Sequence, residues 1–382
     1  MDKQLVSDVK KIYIKKFGED PFLIFSPGRI NIIGEHTDYN DGFVFPGAVN
    51  KGIYAAIQKA NTNKCTAFAL DKNDKLEFNL NAVKPMKEGS WQNYVLGIVA
   101  EIQKTNKIIG NFNIVFKGDI PGGAGMSSSA ALENSIVFGL NKIFDLNLTK
   151  EEMILISQKA EHNYVGVNCG IMDQYASMFG VKNHALLLDC RSIKAKPFKI
   201  DFKEYDLVLI NTNVKHSLSD SAYNDRRSAC ENIAKRLKIS ALRDANESDL
   251  KAIKNLVTPE NYNKALFVIQ ENQRAIKASK AMLDNDIKTL GKLIYSSHNG
   301  LSKQYKVSCD ELDFLVDKAR STKYVIGARM MGGGFGGCTI NLIHKHSVDA
   351  FKNFVETDYK NTFGKACSFY SVTLSNGTHL IN

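Results

Sequence analysis

Residues 118–132, GDIPGGAGMSSSAAL, decide how this chain folds. Four glycines precede three consecutive serines, Ser127 to Ser129, and a run of helix formers follows. Glycines let backbone N–H groups approach an anion closely, and a helix that begins at the serines aims its unpaired N–H groups and positive dipole end at the same point. The stretch reads as a phosphate cradle. It lacks the GK[ST] ending of a P-loop and contains no GxGxxG, so neither a P-loop NTPase nor a dinucleotide fold is indicated.

Upstream of the cradle, residues 20–120 are dominated by short β-type runs, FLIF, FVF, IYAAI, CTAFAL, KLEFNL and FNIVF, separated by Gly, Asn, Asp and Lys. Residues 1–20 instead carry helical spacing at Leu5, Val9, Ile12 and Tyr13 with lysines opposite, which predicts an amphipathic helix and not a transit or secretory segment. Downstream, one helix is expected from Ser127 and a second from Thr149, where Thr149 and Glu152 form a capping box. Two apolar runs, HALLLDC and YDLVLINTN, lead into a helical region from about 220 to 320. Thr258 with Pro259 opens one of its helices, and Ser308 with Glu311 is expected to cap another. The last sixty residues alternate again, with CTINLI and SFYSVTLS as strands around a helix near 348–360. Strands early and helices late predict an α+β protein of two domains, 1–205 and 206–382.

Composition narrows the function. The 382 residues carry a net charge of +10, but the lysines are scattered among acids without a basic run, so a nucleic-acid partner is not indicated. No apolar segment is long enough to span a bilayer, so no membrane partner is expected. Seven widely spaced cysteines, without a CxxC pair, suggest free thiols in a reducing cytoplasm and no structural zinc.

Three further stretches concentrate chemistry. GRINIIGEHTDYNDG, residues 28–42, sets an arginine, a glutamate, a histidine and two aspartates against Ile30, Ile32 and Ile33. Charges this dense beside apolar residues are costly unless something polar lies between them. GARMMGGGFGG, 327–337, sets Gly332, Gly333, Gly334, Gly336 and Gly337 around Phe335, more than a bend requires. NCGIMDQYASMFG, 168–180, places Asp173 in apolar company, where it is either a helix cap or a buried base.

Together these stretches resemble galactokinase, within the GHMP superfamily of small-molecule kinases that includes homoserine, mevalonate and phosphomevalonate kinases. PGRINIIGEHTDYNDG matches the motif peculiar to galactokinases, while PGGAGMSSSAAL and the late glycine cluster match the phosphate-loop motifs of the superfamily. NCGIMDQ and TNVKHSLSDSAYNDRRSAC, 212–230, are also similar. The resemblance implies a two-domain GHMP kinase fold, with a ribosomal protein S5 domain 2-like N-terminal domain, a ferredoxin-like C-terminal domain and an active site at their interface. It implies transfer of the γ-phosphate of ATP to the anomeric hydroxyl of galactose, by a cytoplasmic monomer acting on small molecules alone. Glu35, His36, Thr37, Asp38 and Tyr223 are the implied sugar pocket, and Asp173 and Arg29 the catalytic pair. Gly123, Ala124, Gly125, Met126, Ser127, Ser128 and Ser129 form the implied nucleotide loop, with Mg²⁺ on Ser129 and Glu161. Met126 departs from the leucine more usual there. An N-acetylgalactosamine kinase is the near alternative, which DYNDG fits less well than a sequence with Cys after the tyrosine. A non-catalytic galactose and ATP sensor is the other, and the whole SSSAAL stretch and Asp173 speak against it.

Overall fold

The computed structural model of the chain describes residues 2–214 and 219–382, and no side chains of 219–222. Lys215 to Leu218 of the TNVKHSLSDSAYNDRRSAC segment lie outside the described residues. In the first half, alternation of β-branched and aromatic residues gives β1 (Phe22–Asn31), β2 (Phe43–Val44), β3 (Pro46–Lys59), β4 (Cys65–Ala69), β5 (Asp74–Phe78) and β6 (Phe112–Gly118). β7 (His184–Asp189) and β8 (Lys194–Lys199) form a small sheet with β2. β9 (Tyr205–Asn211), β10 (Val325–Met330), β11 (Cys338–His344) and β12 (Ser368–Ser371) form a four-stranded antiparallel sheet in the order β10-β11-β9-β12. The last strand, β13 (His379–Leu380), returns to pair with β1 and completes a six-stranded sheet, β13-β1-β3-β6-β4-β5. Only the β4–β6 pair of that sheet is parallel, so the fold has none of the βαβ regularity of a dinucleotide-binding protein.

The helices follow from the same patterning. α1 (Lys3–Phe17) is capped by Asp2 and closed by Gly18, and its Val9 and Tyr13 cover one face of the large sheet beside Phe25, Tyr54 and Val115. Alternate residues Ile24, Ala55, Ile57 and Ile114 face the other way. There they meet α2 (Trp91–Gln103), α3 (Ser128–Ile143), α4 (Lys150–Ala160) and α5 (Met172–Phe179). α4 starts at Thr149 with both halves of the capping box formed. In the second half come α6 (Ser219–Leu237), α7 (Glu247–Ala252), α8 (Pro259–Leu283), α9 (Ile287–Asn299), α10 (Asp310–Arg320) and α11 (Val348–Phe363). Thr258 caps α8, with Pro259 at its first position.

Two sequence expectations need correction. Ser308 does not cap α10: Cys309 holds the cap position, while Ser308 Oγ donates to Asp313 Oδ1 at 2.5 Å. Glu311 takes Lys365 Nζ at 2.8 Å instead of reaching back to the helix start, because a lysine from elsewhere in the chain offers a charge-assisted bond. The SFYSVTLS run is a strand only over its first half. From Val372 it crosses to the large sheet, where Leu374 bridges Val49.

One apolar cluster joins the two halves. Ile30, Ile32, Ile33 and Phe45 pack with Leu207, Leu209, Ile340 and Leu342 from the second sheet, and with Ala275, Ala278 and Met331. The three isoleucines anchor the end of β1 in this seam core. The charged residues between and after them are thereby held where the two halves meet.

Candidate active site

Beyond β1 the chain turns sharply, with Gly34 at φ 95° and His36 at φ 62° in the left-handed region. A non-glycine residue in that conformation is held by its surroundings and clusters at functional sites. Glu271, fully buried on α8, accepts the Gly34 N–H at 2.9 Å and Ser297 Oγ at 2.6 Å, and Arg274 Nε balances its charge at 2.5 Å. Glu35 accepts from Gly332 N at 2.9 Å, Arg329 Nη2 at 2.7 Å and Asn31 Nδ2 at 3.0 Å. Arg329 has no exposed surface and also donates to the carbonyls of Ile32, Asn31 and Met330. The loop is therefore tied to the second glycine cluster by a buried ion pair in which every guanidinium nitrogen has an acceptor, the condition under which such a pair is tolerable.

These bonds distribute the expected sugar ligands unequally. Thr37 directs its hydroxyl to the carbonyls of Gly34 and Phe43, at 2.9 and 2.7 Å, and shapes the loop from behind. Glu35, His36, Asp38 and Tyr223 line a cavity of about 120 Å³, together with Arg29, Glu161, Val167, Cys169, Met172, Asp173, Gly332 and Gly333. Gly170 has room for no side chain, because a Cβ there would collide with the Asp38 carboxylate.

Arg29 and Asp173 form a two-pronged pair. Nε donates to Oδ1 and Nη2 to Oδ2, each at 2.8 Å, while Nη1 donates to the Gly125 carbonyl. Asp173 stands in the first turn of α5, and Ser127 Oγ donates to its Oδ2. An ionised carboxylate has about four acceptor sites, so about one remains for a ligand hydroxyl. Arg29 likewise keeps N–H groups that these three bonds do not use.

The glycine–serine loop expected to hold phosphate runs from the end of β6 into α3, whose first residue is Ser128; Ser127 sits before it in the left-handed region at φ 54°. All seven expected loop residues, Gly123 to Ser129, line a second cavity of about 490 Å³. Its other walls include Tyr94, Glu161, Asp173, Tyr223 and the Met331–Gly334 stretch. A Cβ on Gly125 would stand 3.2 Å from the Met331 carbonyl oxygen and one on Gly332 3.4 Å from that of Gly125, so the two glycine clusters lie close against each other. The two cavities share Arg29, Glu161, Val167, Asp173, Tyr223, Gly332 and Gly333. Arg29 is the only arginine or lysine lining either one among the described residues.

Charge is correspondingly unbalanced. Burial, reinforced by Asp173 and Glu35, pushes the Asp38 carboxyl up to about 7 against the pull of the Tyr39 amide and Arg29. Burial and Asp173 likewise push Glu161 up to about 7, against hydrogen bonds from Cys169, Ser129 and Gln174. Burial works against the charge on Arg29, but Asp173, Glu35 and Asp38 outweigh it and hold the guanidinium above its ordinary value. Burial, with the cation Arg226, lowers His36 to about 3, so the ring is neutral. Carboxylates raised this far mark a site short of positive charge, which a cation and donor-rich ligands would supply.

Sequence reasoning did not find Arg329, Glu271 or Gly170, which fix these groups in place, or Tyr305, whose hydroxyl lies 2.7 Å from that of Tyr39. Arg329 lay within the quoted glycine cluster, and a lone arginine among apolar residues and glycines was a usable signal.

Comparison with known proteins follows the same geography. Residues 11–59 match the galactokinase galactose-binding signature, 93–181 the GHMP kinases N terminal domain and 275–361 the GHMP kinases C terminal domain. The chain is 41% identical over 380 residues to a galactokinase of Clostridium acetobutylicum, covering 97% of each. It is 38% identical over 356 residues to one of Thermotoga petrophila, covering 93% of this chain and 99% of the relative. The crystal structure of Lactococcus lactis galactokinase complexed with galactose superposes with a TM-score of 0.95 at 34% identity, covering 98% of this chain and 100% of that one. The mevalonate kinase of Methanococcus jannaschii, at 18% identity and a TM-score of 0.65 over 94% of this chain and 99% of its own, shares the fold.

Proposed function

The chain belongs to the galactokinase family of the GHMP kinases, and on that premise we propose how its residues move a phosphoryl group from ATP to the anomeric hydroxyl of galactose. Its activity is that of an ATP-dependent sugar 1-kinase. The observation that carries the assignment of roles is the meeting of the two cavities at Arg29 and Asp173. The larger one, walled by glycine loops and the start of α3, suits a triphosphate; the smaller, walled by Glu35, His36, Asp38 and Tyr223, suits a polyhydroxylated ring.

Phosphoryl transfer passes through a loose transition state, so catalysis is mainly positioning and charge stabilisation. Backbone N–H groups of Gly123 to Ser129 cradle the phosphates. Asp173, with its orientation fixed by Arg29 and Ser127, accepts the hydrogen bond of the anomeric hydroxyl, and with it the proton released as the bond to phosphorus forms. The free N–H groups of Arg29 face the transferring group and neutralise charge that develops on it. Asp38 accepts from ring hydroxyls, and an epimer that withdraws one leaves a buried carboxylate short of a donor, at a cost of roughly 1–3 kcal/mol.

Ser129 and Glu161 fit a magnesium ion. Both supply oxygen, Ser129 lies near enough to favour the ionised form of Glu161, and the raised Glu161 carboxyl lacks a cation. Among the described residues no cluster of three or more His, Cys, Asp or Glu side chains could hold a metal alone, so a bound ion would draw its other oxygens from phosphate and water. Bound there, the metal would neutralise phosphate charge. The reducing cytoplasm suits the seven unpaired cysteines, five of them buried.

The test is incubation of the purified chain with ATP, Mg²⁺ and a panel of hexoses. Galactose 1-phosphate is the expected product, and phosphorylation at O6, or equal rates on glucose, would refute the assignment.

A further inference from the structure

His36 is the cavity-facing end of a buried hydrogen-bond chain that the mechanism above does not use. Its Nδ1 lies 2.8 Å from the Tyr39 hydroxyl, which lies 2.7 Å from the Tyr305 hydroxyl, which in turn lies 3.5 Å from Cys230 Sγ. Tyr305 ends the π-helical turn Gly300–Tyr305 after α9, and Cys230 belongs to α6. Tyr305 has no exposed surface, Cys230 has 1% and His36 has 4%, so water does not compete for these bonds. At the other end, His36 Nε2 is buried without a hydrogen-bond partner.

A neutral imidazole carries one proton, and the chain can run in either direction. In one, the thiol donates to Tyr305, Tyr305 to Tyr39 and Tyr39 to Nδ1, which leaves the proton on Nε2. In the other, Nδ1–H donates to Tyr39 and the chain ends with a phenol donating to sulfur. The first pairs the better donor, a phenol, with the better acceptor, an imidazole nitrogen, and uses the weak thiol only as a terminal donor. The second asks sulfur, a weak acceptor, to close the chain. The Gly333 backbone lies beside the ring and favours its protonated form, without the geometry of a hydrogen bond. Arg226 and Arg329 oppose a second proton.

We propose that Tyr39, Tyr305 and Cys230 are positioning residues that hold His36 as its neutral Nε2–H tautomer, so that the ring presents a donor, not an acceptor, to an oxygen of the bound sugar. This rests on the reading of the smaller cavity as the sugar site. The acceptors Asp38 and Asp173 and the donor His36 then divide the wall, and a buried N–H left unpaired in the free chain gains its partner when the sugar arrives.

The test uses the full chain, ligand-free and labelled with ¹⁵N-histidine, with the His36 signals assigned by their loss in His36→Gln. Wild type should carry its proton on Nε2, with Nδ1 bare and hydrogen-bonded. Tyr39→Phe should remove the Nδ1 hydrogen bond and raise the KM for galactose about 5- to 10-fold, as expected for a hydrogen bond of ordinary strength. The kcat and the KM for ATP should stay within about threefold, since the reacting groups are untouched. Tyr305→Phe should move both readouts the same way by less. Cys230→Ser, which keeps a terminal donor, should leave both as in wild type. A wild-type proton on Nδ1 would overturn the proposal, as would Tyr39→Phe and Tyr305→Phe variants with unchanged His36 signals and unchanged galactose KM. The tautomer is read without sugar or nucleotide, so a failure of the galactokinase assignment would appear separately, as absent galactose 1-phosphate.

Discussion

Around Asp38 the chain has no slack, since Gly170 cannot take a Cβ and the neighbouring Glu35 holds three donors; around Gly122 and Gly123 of the phosphate loop, nothing lies within 4 Å of where a Cβ would stand. The first region is built by packing against residues far away in sequence. The second is left open, and its donors are backbone N–H groups that need no side-chain support. On the proposed assignment the sugar side is thus preorganised, with its groups fixed before the ligand arrives, whereas the phosphate side is an open cradle of backbone groups.

The largest effect should come where the two regions touch. Asp173→Asn turns one of the two acceptors of Arg29 and Ser127 into a donor and removes the proton acceptor, so kcat should fall by about 10²–10⁴ while the galactose Kd changes little. Kinetics and calorimetry on the same preparation check this. A variant within a few-fold of wild type would exclude proton transfer to Asp173.

Next comes the sugar side alone. Asp38→Ala should weaken galactose binding by about 10- to 100-fold, the range for lost hydrogen bonds to a charged group, with the ATP Kd nearly unchanged. Gly170→Ala, which forces the Asp38 carboxylate to move, should reproduce part of that loss although it removes no polar group. Equal losses for both ligands in separate titrations would show that the two regions are not independent.

The pH dependence is of similar size. Asp38 stands at about 7, against an ordinary value of 3.8 that the unfolded chain would keep. Between those values the folded, ligand-free chain holds a proton that the unfolded chain does not, so this group favours folding below that window and the contribution is lost as pH rises toward about 7. Sugar binding needs the ionised form and runs the other way. The galactose Kd should weaken about tenfold per pH unit below about 7 and level off above it. Asp38→Asn should flatten that profile, and an unchanged profile in the variant would assign the titration to another group.

The smallest effect sharpens the contrast. Gly122→Ala adds a methyl group into open space, so the melting temperature should hold and the galactose KM should stay within about threefold, with any change confined to ATP. A loss of galactose binding comparable to that of Gly170→Ala would remove the distinction between a packed loop and an open one.

Local sequence was enough to read two of the helix starts. Thr149 and Thr258 cap helices because a side-chain oxygen three residues from an unpaired N–H needs nothing else. Ser308 misled for the converse reason: a cap can be displaced by partners from elsewhere, here Asp313 for the serine and Lys365 for Glu311.

By itself, the sequence determined that charges crowd the end of a buried strand, that glycines and serines precede a helix, and that a lone aspartate sits among apolar residues. Those are facts of spacing, and the chemistry they imply is set by residue type. Only the tertiary structure decided which of these groups line the two joined cavities. Thr37 turned to the backbone behind it, Glu35 became tied to Arg329, and His36 acquired a tyrosine 266 positions beyond Tyr39 at the far end of its hydrogen bonds. Hydrogen bonds and ion pairs act over a few ångströms, and a chain brings residues hundreds of positions apart within that range only by folding, so the partners of a buried polar group cannot be read from its neighbours in sequence.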